Sequence, residues 1–374
     1  MKLNTEIFLK ELEELVNIES PSHYPEGVQK IAIWFKSRLE KLGWHTELIN
    51  VGSEVGPCLK ATNKPTEQYD ILLLGHMDTV FPQGTTANWP FSIQGDKVTG
   101  PGVSDMKGGL LYIYHAVKYF TENNLLNDSS ICVLFNSDEE IGTTYSRSLV
   151  ESIAQKSSAV LVLEPGRSNG AYVNARKGVG QYNLEFQGIA AHAGVAPQNG
   201  ASALLEMFNW GIELSKLTDF NTGLTVNFGI AKGGTATNVV PEQAYAQVDL
   251  RISEPTQADI VDQKIKELLS NPFNPKVKTI VTGGVNRPPM TTDAKTLKLC
   301  ETVTELGKKI DLPVVWVATG GGSDGNFTSG LGIPTLDAMG PIGCDMHSHK
   351  ETADIPSLNP RFNLLLDTIK HLLK

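Results

Sequence analysis

Apolar residues near the start of the chain recur with a helical period. Phe8, Leu12, Leu15 and Val16 share one face, and Val28, Ile31, Phe35 and Leu39 share another. Side chains three and four apart are neighbours on a helix, so each set predicts an amphipathic helix with one buried side. Pro25 and Gly43 bound the second helix. The pattern then changes. Continuous apolar runs at 71–74, 131–135 and 159–163 predict strands covered on both faces. Helical segments at 109–120 and 145–153 separate them. Strands alternating with helices predict an α/β fold with a largely parallel sheet.

After Lys177 the order is different. The chain there predicts a strand at 179–186, a helix at 203–217, strands at 224–230 and 243–252, a helix at 257–269 and a strand at 277–281. This is the β-α-β-β-α-β order of a ferredoxin-like domain. The chain then returns to the first texture, with a helix at 296–310, a strand at 314–317 and a closing helix within 356–373. Residues 177–288 are therefore expected to form a domain inserted into a larger, discontinuous one made of 1–176 and 289–374.

Length agrees with this division, because 374 residues exceed one ordinary core. Hydrophobic residues at 40% and charged residues at 20% are ordinary for a globular chain. The net charge of -9 disfavours nucleic acid and anionic membranes as partners, since both are negative. Cys58, Cys132, Cys300 and Cys344 lie far apart without a CxxC pair and are expected to be reduced thiols. Residues 1–15 are amphipathic and acidic, unlike a signal peptide, and no apolar run reaches membrane length. A cytoplasmic location is the expectation.

Chemistry enters at the residues just after each predicted strand. Acidic groups at the carboxyl ends of parallel strands face the crevice where ligands bind. Run 71–74 leads into Gly75-His76-Met77-Asp78. Residues two apart on an extended chain face one side, so His76 can ligate a metal while Asp78 accepts its other ring N–H. Asp105 comes after a glycine-rich turn and precedes a helix. It is either a helix N-cap or a carboxylate bridging two metals. Run 131–135 leads into Asp138-Glu139-Glu140, and run 159–163 into Glu164. Adjacent buried carboxylates repel unless a cation or shared proton intervenes. Glu139 and Glu140 then offer one ligand and one general base. His347 or His349 in the segment 340–351 completes the set. Carboxylate and imidazole without thiolate suit zinc in a hydrolase.

The segments GHMDTV (75–80), GVSDMKGG (102–109), NSDEEIG (136–142), VLEPG (162–166), AAHAG (190–194), GGTATNVVPE (233–242) and MHSHKE (346–351) carry a resemblance. Together, in this order, they resemble the co-catalytic zinc metallopeptidase family of glutamate carboxypeptidase, aminoacylase, acetylornithine deacetylase and succinyl-diaminopimelate desuccinylase. ARKGVG (175–180), LEPGR (163–167) and RPPM (287–290) look closest to the glutamate carboxypeptidase branch. The resemblance implies a zinc-peptidase catalytic domain with an inserted dimerisation or lid domain, and two Zn2+ per chain, with Co2+ or Mn2+ as substitutes. His76 and Glu164 would bind one ion, Glu140 and His347 the other, and Asp105 both. Glu139 would take the proton from the water between the metals, and Asp78 would orient His76. His192 would reach a partner subunit's site in a homodimer. Arg287 would hold the substrate carboxylate; Asn238 and Arg251, near the lid that carries His192, and Gly321 of the active-site loop would also bind substrate. His349 would be a surface residue, and the Asp105–Met106 peptide would be cis. The substrate would be a small acyl-amino acid or short peptide. An N-acyl-amino-acid deacylase or desuccinylase on the same scaffold is the first alternative, and a non-catalytic dimeric zinc-binding relative the second. A nucleotide-binding domain would need GxGxxG after the first strand, where this chain has HxD.

Overall fold

The computed structural model describes residues 3–373. The two amphipathic helices are Thr5–Val16 and Pro25–Lys41. Asn4 caps the first, its side-chain oxygen accepting from the Ile7 N–H at 3.1 Å. Pro25 opens the second, where no N–H is required. Their eight expected apolar positions are all buried.

The chain divides into two compact units. One contains the residues up to Ala175, Thr292–Thr319 and those from Ser323 onward. Its six-stranded sheet runs His45–Ile49, Cys58–Thr62, Ile131–Asn136, Ile71–His76, Val160–Val162, Thr335–Leu336. The last four strands are mutually parallel, and the first two form an antiparallel edge. Both central strands are buried at every position, as a sheet covered on two faces requires. The helix Gly108–Glu122 starts so close to the sheet that a Cβ on Gly109 would stand 2.0 Å from the Leu163 carbonyl. In register, His76 lies opposite Asn136, and Leu74 opposite Val162. The carboxyl ends of these strands therefore open on one edge.

The other unit is Arg176–Thr291 with Gly320–Gly322. Its elements come in the order β-α-β-β-α-β: Gly178–Gln187, Ala203–Ser215, Thr225–Gly233, Gln243–Ile252, Thr256–Ser270 and Lys278–Arg287. The sheet is antiparallel, with Thr225–Gly233 and Lys278–Arg287 at its edges. Alternate residues of Gly178–Gln187 and Gln243–Ile252 are buried, and Leu184, Phe186, Val248, Leu250 and Trp210 share the core. The last strand runs well past residue 281, where its apolar stretch ends, because glycines continue the pairing. Gly320–Gly322 groups with this unit, since the Arg176 guanidinium donates to the Gly321 carbonyl at 3.1 Å. No helix among the described residues is long and apolar enough to cross a membrane.

Candidate metal centre

His76 ends its strand and is 1% exposed. Its Nδ1 lies 3.0 Å from the Asp78 carbonyl oxygen and 3.4 Å from Asp78 Oδ1. Its Nε2 lies 3.2 Å from Asp105 Oδ1 and 3.6 Å from Glu164 Oε1. Asp78 also serves the neighbouring strand end. It accepts from the Glu139 and Glu140 amides, each at 3.1 Å, and from Ser22 Oγ at 2.6 Å. One fully buried carboxylate thus fixes an imidazole and the Glu139-Glu140 turn together.

Asp105 comes from the turn that begins at Gly100. Gly102 has φ +72, where an L side chain is strained, and a Cβ there would also meet Thr79 Cγ2 at 2.6 Å. The Asp105–Met106 bond is cis. While Oδ1 of Asp105 faces His76, its Oδ2 lies 3.3 Å from His347 Nε2. That same nitrogen is 3.2 Å from Glu140 Oε2. Two groups of donors result: His76, Asp105 and Glu164, and Asp105, Glu140 and His347. Within each, the atoms that could ligate lie within 4.8 Å of one another, and Asp105 offers one oxygen to each. His349 belongs to neither group; its exposed ring stacks on Trp89 at 5.1 Å between centroids.

The electrostatics suit a cation. Burial, then the Asp105 charge, raises Glu164 and pushes Glu140 up to about 8. Hydrogen bonds to Asp105 and Glu140 lift His347 to about 11. Burial opposes charge on His76, but Asp105 and Asp78 outweigh it and raise its pKa. Burial likewise opposes charge on Asp105, and the two imidazoles reverse the balance and lower it. Glu140 Oε1 is buried with no hydrogen-bond partner, which is the state of a donor shaped for a ligand. Glu139 is 9% exposed, and its charge acts on both Glu140 and Glu164 while it belongs to neither donor group.

The remaining expected residues lie in the second unit. His192 and Asn238 are exposed on adjacent segments, joined by the Ala193 amide donating to the Asn238 carbonyl at 2.9 Å. Arg251 grips Asp249 with two nitrogens, at 2.9 and 3.0 Å. Arg287 is buried at the end of its strand, and a Cβ on Gly322 would come within 2.9 Å of its Cδ. Gly321 is the tri-glycine residue held by Arg176. Glu351, to which the sequence motif gives no role beyond following His347, is fully buried against the Asp105 turn. Its one signal was a carboxylate four residues after His347.

Fold and donor set define a class, a hydrolytic enzyme acting on peptide bonds. The chain belongs to peptidase family M20/M25/M40, whose pattern matches residues 72–371. It is 32% identical over 359 residues to carboxypeptidase G2 of Pseudomonas sp. strain RS-16, covering 94% of this chain and 86% of that protein. The aminopeptidase PepT of Bacillus cereus ATCC 10987 has a similar structure, with TM-score 0.80 and 23% identity over 100% of both chains. A dinuclear metal-binding peptidase of the M20 family from Bacillus subtilis has TM-score 0.72 and 15% identity, over 98% of this chain and 99% of that one. At such identities the two structures show the shared fold.

Proposed function

We propose that this protein is a dizinc carboxypeptidase that cleaves the amide bond between an acyl or peptidyl group and a C-terminal amino acid, in the manner of a glutamate carboxypeptidase. The observation that carries the reading is Asp105, shared between two donor triads. The likeness to carboxypeptidase G2 and the dinuclear character of the Bacillus subtilis peptidase support it. His76 and Glu164 would hold one zinc, Glu140 and His347 the other, and Asp105 both; cobalt or manganese would substitute. When bound, such a pair polarises the scissile carbonyl and acidifies water. Asp78 keeps His76 in one tautomer and orientation. Glu139, held beside both triads, takes the proton of the attacking water and passes it to the leaving amine. The catalytic domain is 1–176 with 289–374, and 177–288 serves as lid and dimerisation domain. The enzyme works in the cytoplasm on small acyl-amino acids or short peptides.

Hydrolysis of a substrate panel with zinc, cobalt and manganese tests this reading. Turnover should require a free carboxylate beside the cut bond. Activity confined to acyl groups such as acetyl or succinyl would favour the deacylase alternative. Arg287 is assigned to the substrate carboxylate, because a guanidinium matches it with two parallel hydrogen bonds. Arg287→Ala should lower kcat/KM for carboxylate substrates by about 1.5–3 kcal/mol, roughly ten- to a hundredfold. Matching amides should lose far less. Equal losses on both would make the residue structural.

Dimer formation is supported by the second unit alone. Its edge strand Thr225–Gly233 pairs on one side, and Leu205, Phe208 and Ile212 lie exposed on the helix Ala203–Ser215. An isologous contact there would let His192 serve the partner's site. His192→Ala and Glu139→Gln should then each be nearly inactive, while co-expression restores about a quarter of wild-type activity through mixed dimers with one intact site. No recovery despite confirmed mixing would confine His192 to its own chain.

A further inference from the structure

Glu351 lies four residues beyond His347 and is fully buried. A buried carboxylate is costly unless its oxygens find donors. Here Oε1 accepts from the Ser104 amide at 2.8 Å, Ser104 Oγ at 3.1 Å and the Asp105 amide at 3.0 Å. Oε2 accepts from the Gly102 amide at 3.4 Å. The main chain of Glu351 is equally committed. Its carbonyl accepts from Thr99 Oγ1 at 2.8 Å, and its amide donates to the Ser348 carbonyl at 3.0 Å. One residue therefore ties the turn carrying Asp105 to the turn carrying His347.

These two ligands need such a tie more than the others do. His76 stands at the end of a buried strand and is braced by Asp78. Asp105 stands in a glycine-rich turn, and His347 is exposed in a turn with φ 61. Side chains on turns are placed less sharply than those on strands unless neighbouring groups hold them. We propose that Glu351 is a positioning residue that locks the Asp105 and His347 turns together and so sets the metal affinity of the Asp105–Glu140–His347 site in particular. The inference rests on the dinuclear reading of the two triads.

The test uses the full-length chain, stripped of metal and titrated calorimetrically with zinc and with cobalt, the visible cobalt spectrum being tracked in parallel. Wild type should bind two ions. Glu351→Ala removes all four side-chain hydrogen bonds and should keep one tight ion while the other weakens about 10–100-fold, the usual effect of losing a group that orients metal ligands. Its cobalt spectrum should change in the weakened equivalent alone. Glu351→Gln keeps the shape and one accepting oxygen, so it should show the same inequality to a smaller degree. It also carries the test should the alanine variant fail to fold. Two ions bound at wild-type strength in folded Glu351→Gln and Glu351→Ala would overturn the proposal. Equal weakening of both ions would overturn it too, since that is general loosening. Wild type binding fewer than two ions would sink the dinuclear reading first, and this assignment with it.

Discussion

Glu139→Gln is expected to slow turnover by about 10²–10⁴-fold, the range for losing a general base, while the chain still binds two metal ions. The reason lies in the division of labour within one turn. Glu140 Oε2 stands 3.2 Å from His347 Nε2 and belongs to a donor triad. Glu139 is the adjacent residue but belongs to neither triad. Its amide is anchored on Asp78, which a glutamine at 139 would leave intact. Glutamine keeps size and polarity and lacks only the ability to take a proton. Bound metal and rate should be measured on one preparation. Metal lost in step with activity would mean that the roles of Glu139 and Glu140 are exchanged or shared.

Asp105→Ala is expected to be the most damaging single ligand change, because it alone weakens both sites. Asp105 presents one oxygen to His76 and the other to His347, so its loss leaves each triad with two donors. Loss of metal removes several kcal/mol of transition-state stabilisation, so activity should fall by at least about 10³-fold. His347→Ala should differ in kind, retaining one ion held by His76, Asp105 and Glu164. Metal content of the two variants decides the matter. If Asp105→Ala keeps one ion at wild-type strength, the carboxylate serves one site and the shared role fails. Circular dichroism should show both variants folded, since neither residue belongs to a hydrophobic core cluster.

Parts of the fold were legible because burial leaves a pattern in the chain. The strands ending at His76 and Asn136 are buried on both faces and read as apolar runs. The antiparallel edge His45–Ile49 and Cys58–Thr62 left no such trace. It is short, the first of its strands is polar and half-exposed, and Lys60 interrupts the second. The small sheet of Ser92–Gln94, Lys97–Thr99, Gly343–Cys344 and Thr352–Asp354 was equally silent, because two or three residues are too few to show a period. That sheet sets Glu351 beside Thr99 and the Asp105 turn.

The candidate site divides in the same way. Sequence determined which chemistry is available and at which strand ends, since a parallel sheet must open the carboxyl ends of its strands on one edge. It also determined, from the residues that follow those strands, that the candidate donors are imidazole and carboxylate rather than thiolate. Only tertiary structure decided how they pair. Asp105 meets both His76 and His347, and Glu140 meets His347. Asp78 holds a strand end and a turn at once. Glu351 reaches the Asp105 turn from the far end of the chain. Contacts around the site join residues distant in sequence: His76 and Asp105 are 29 positions apart, Ser104 and Glu351 247. Strand register and crossover connections set such distances, and local sequence carries no record of either.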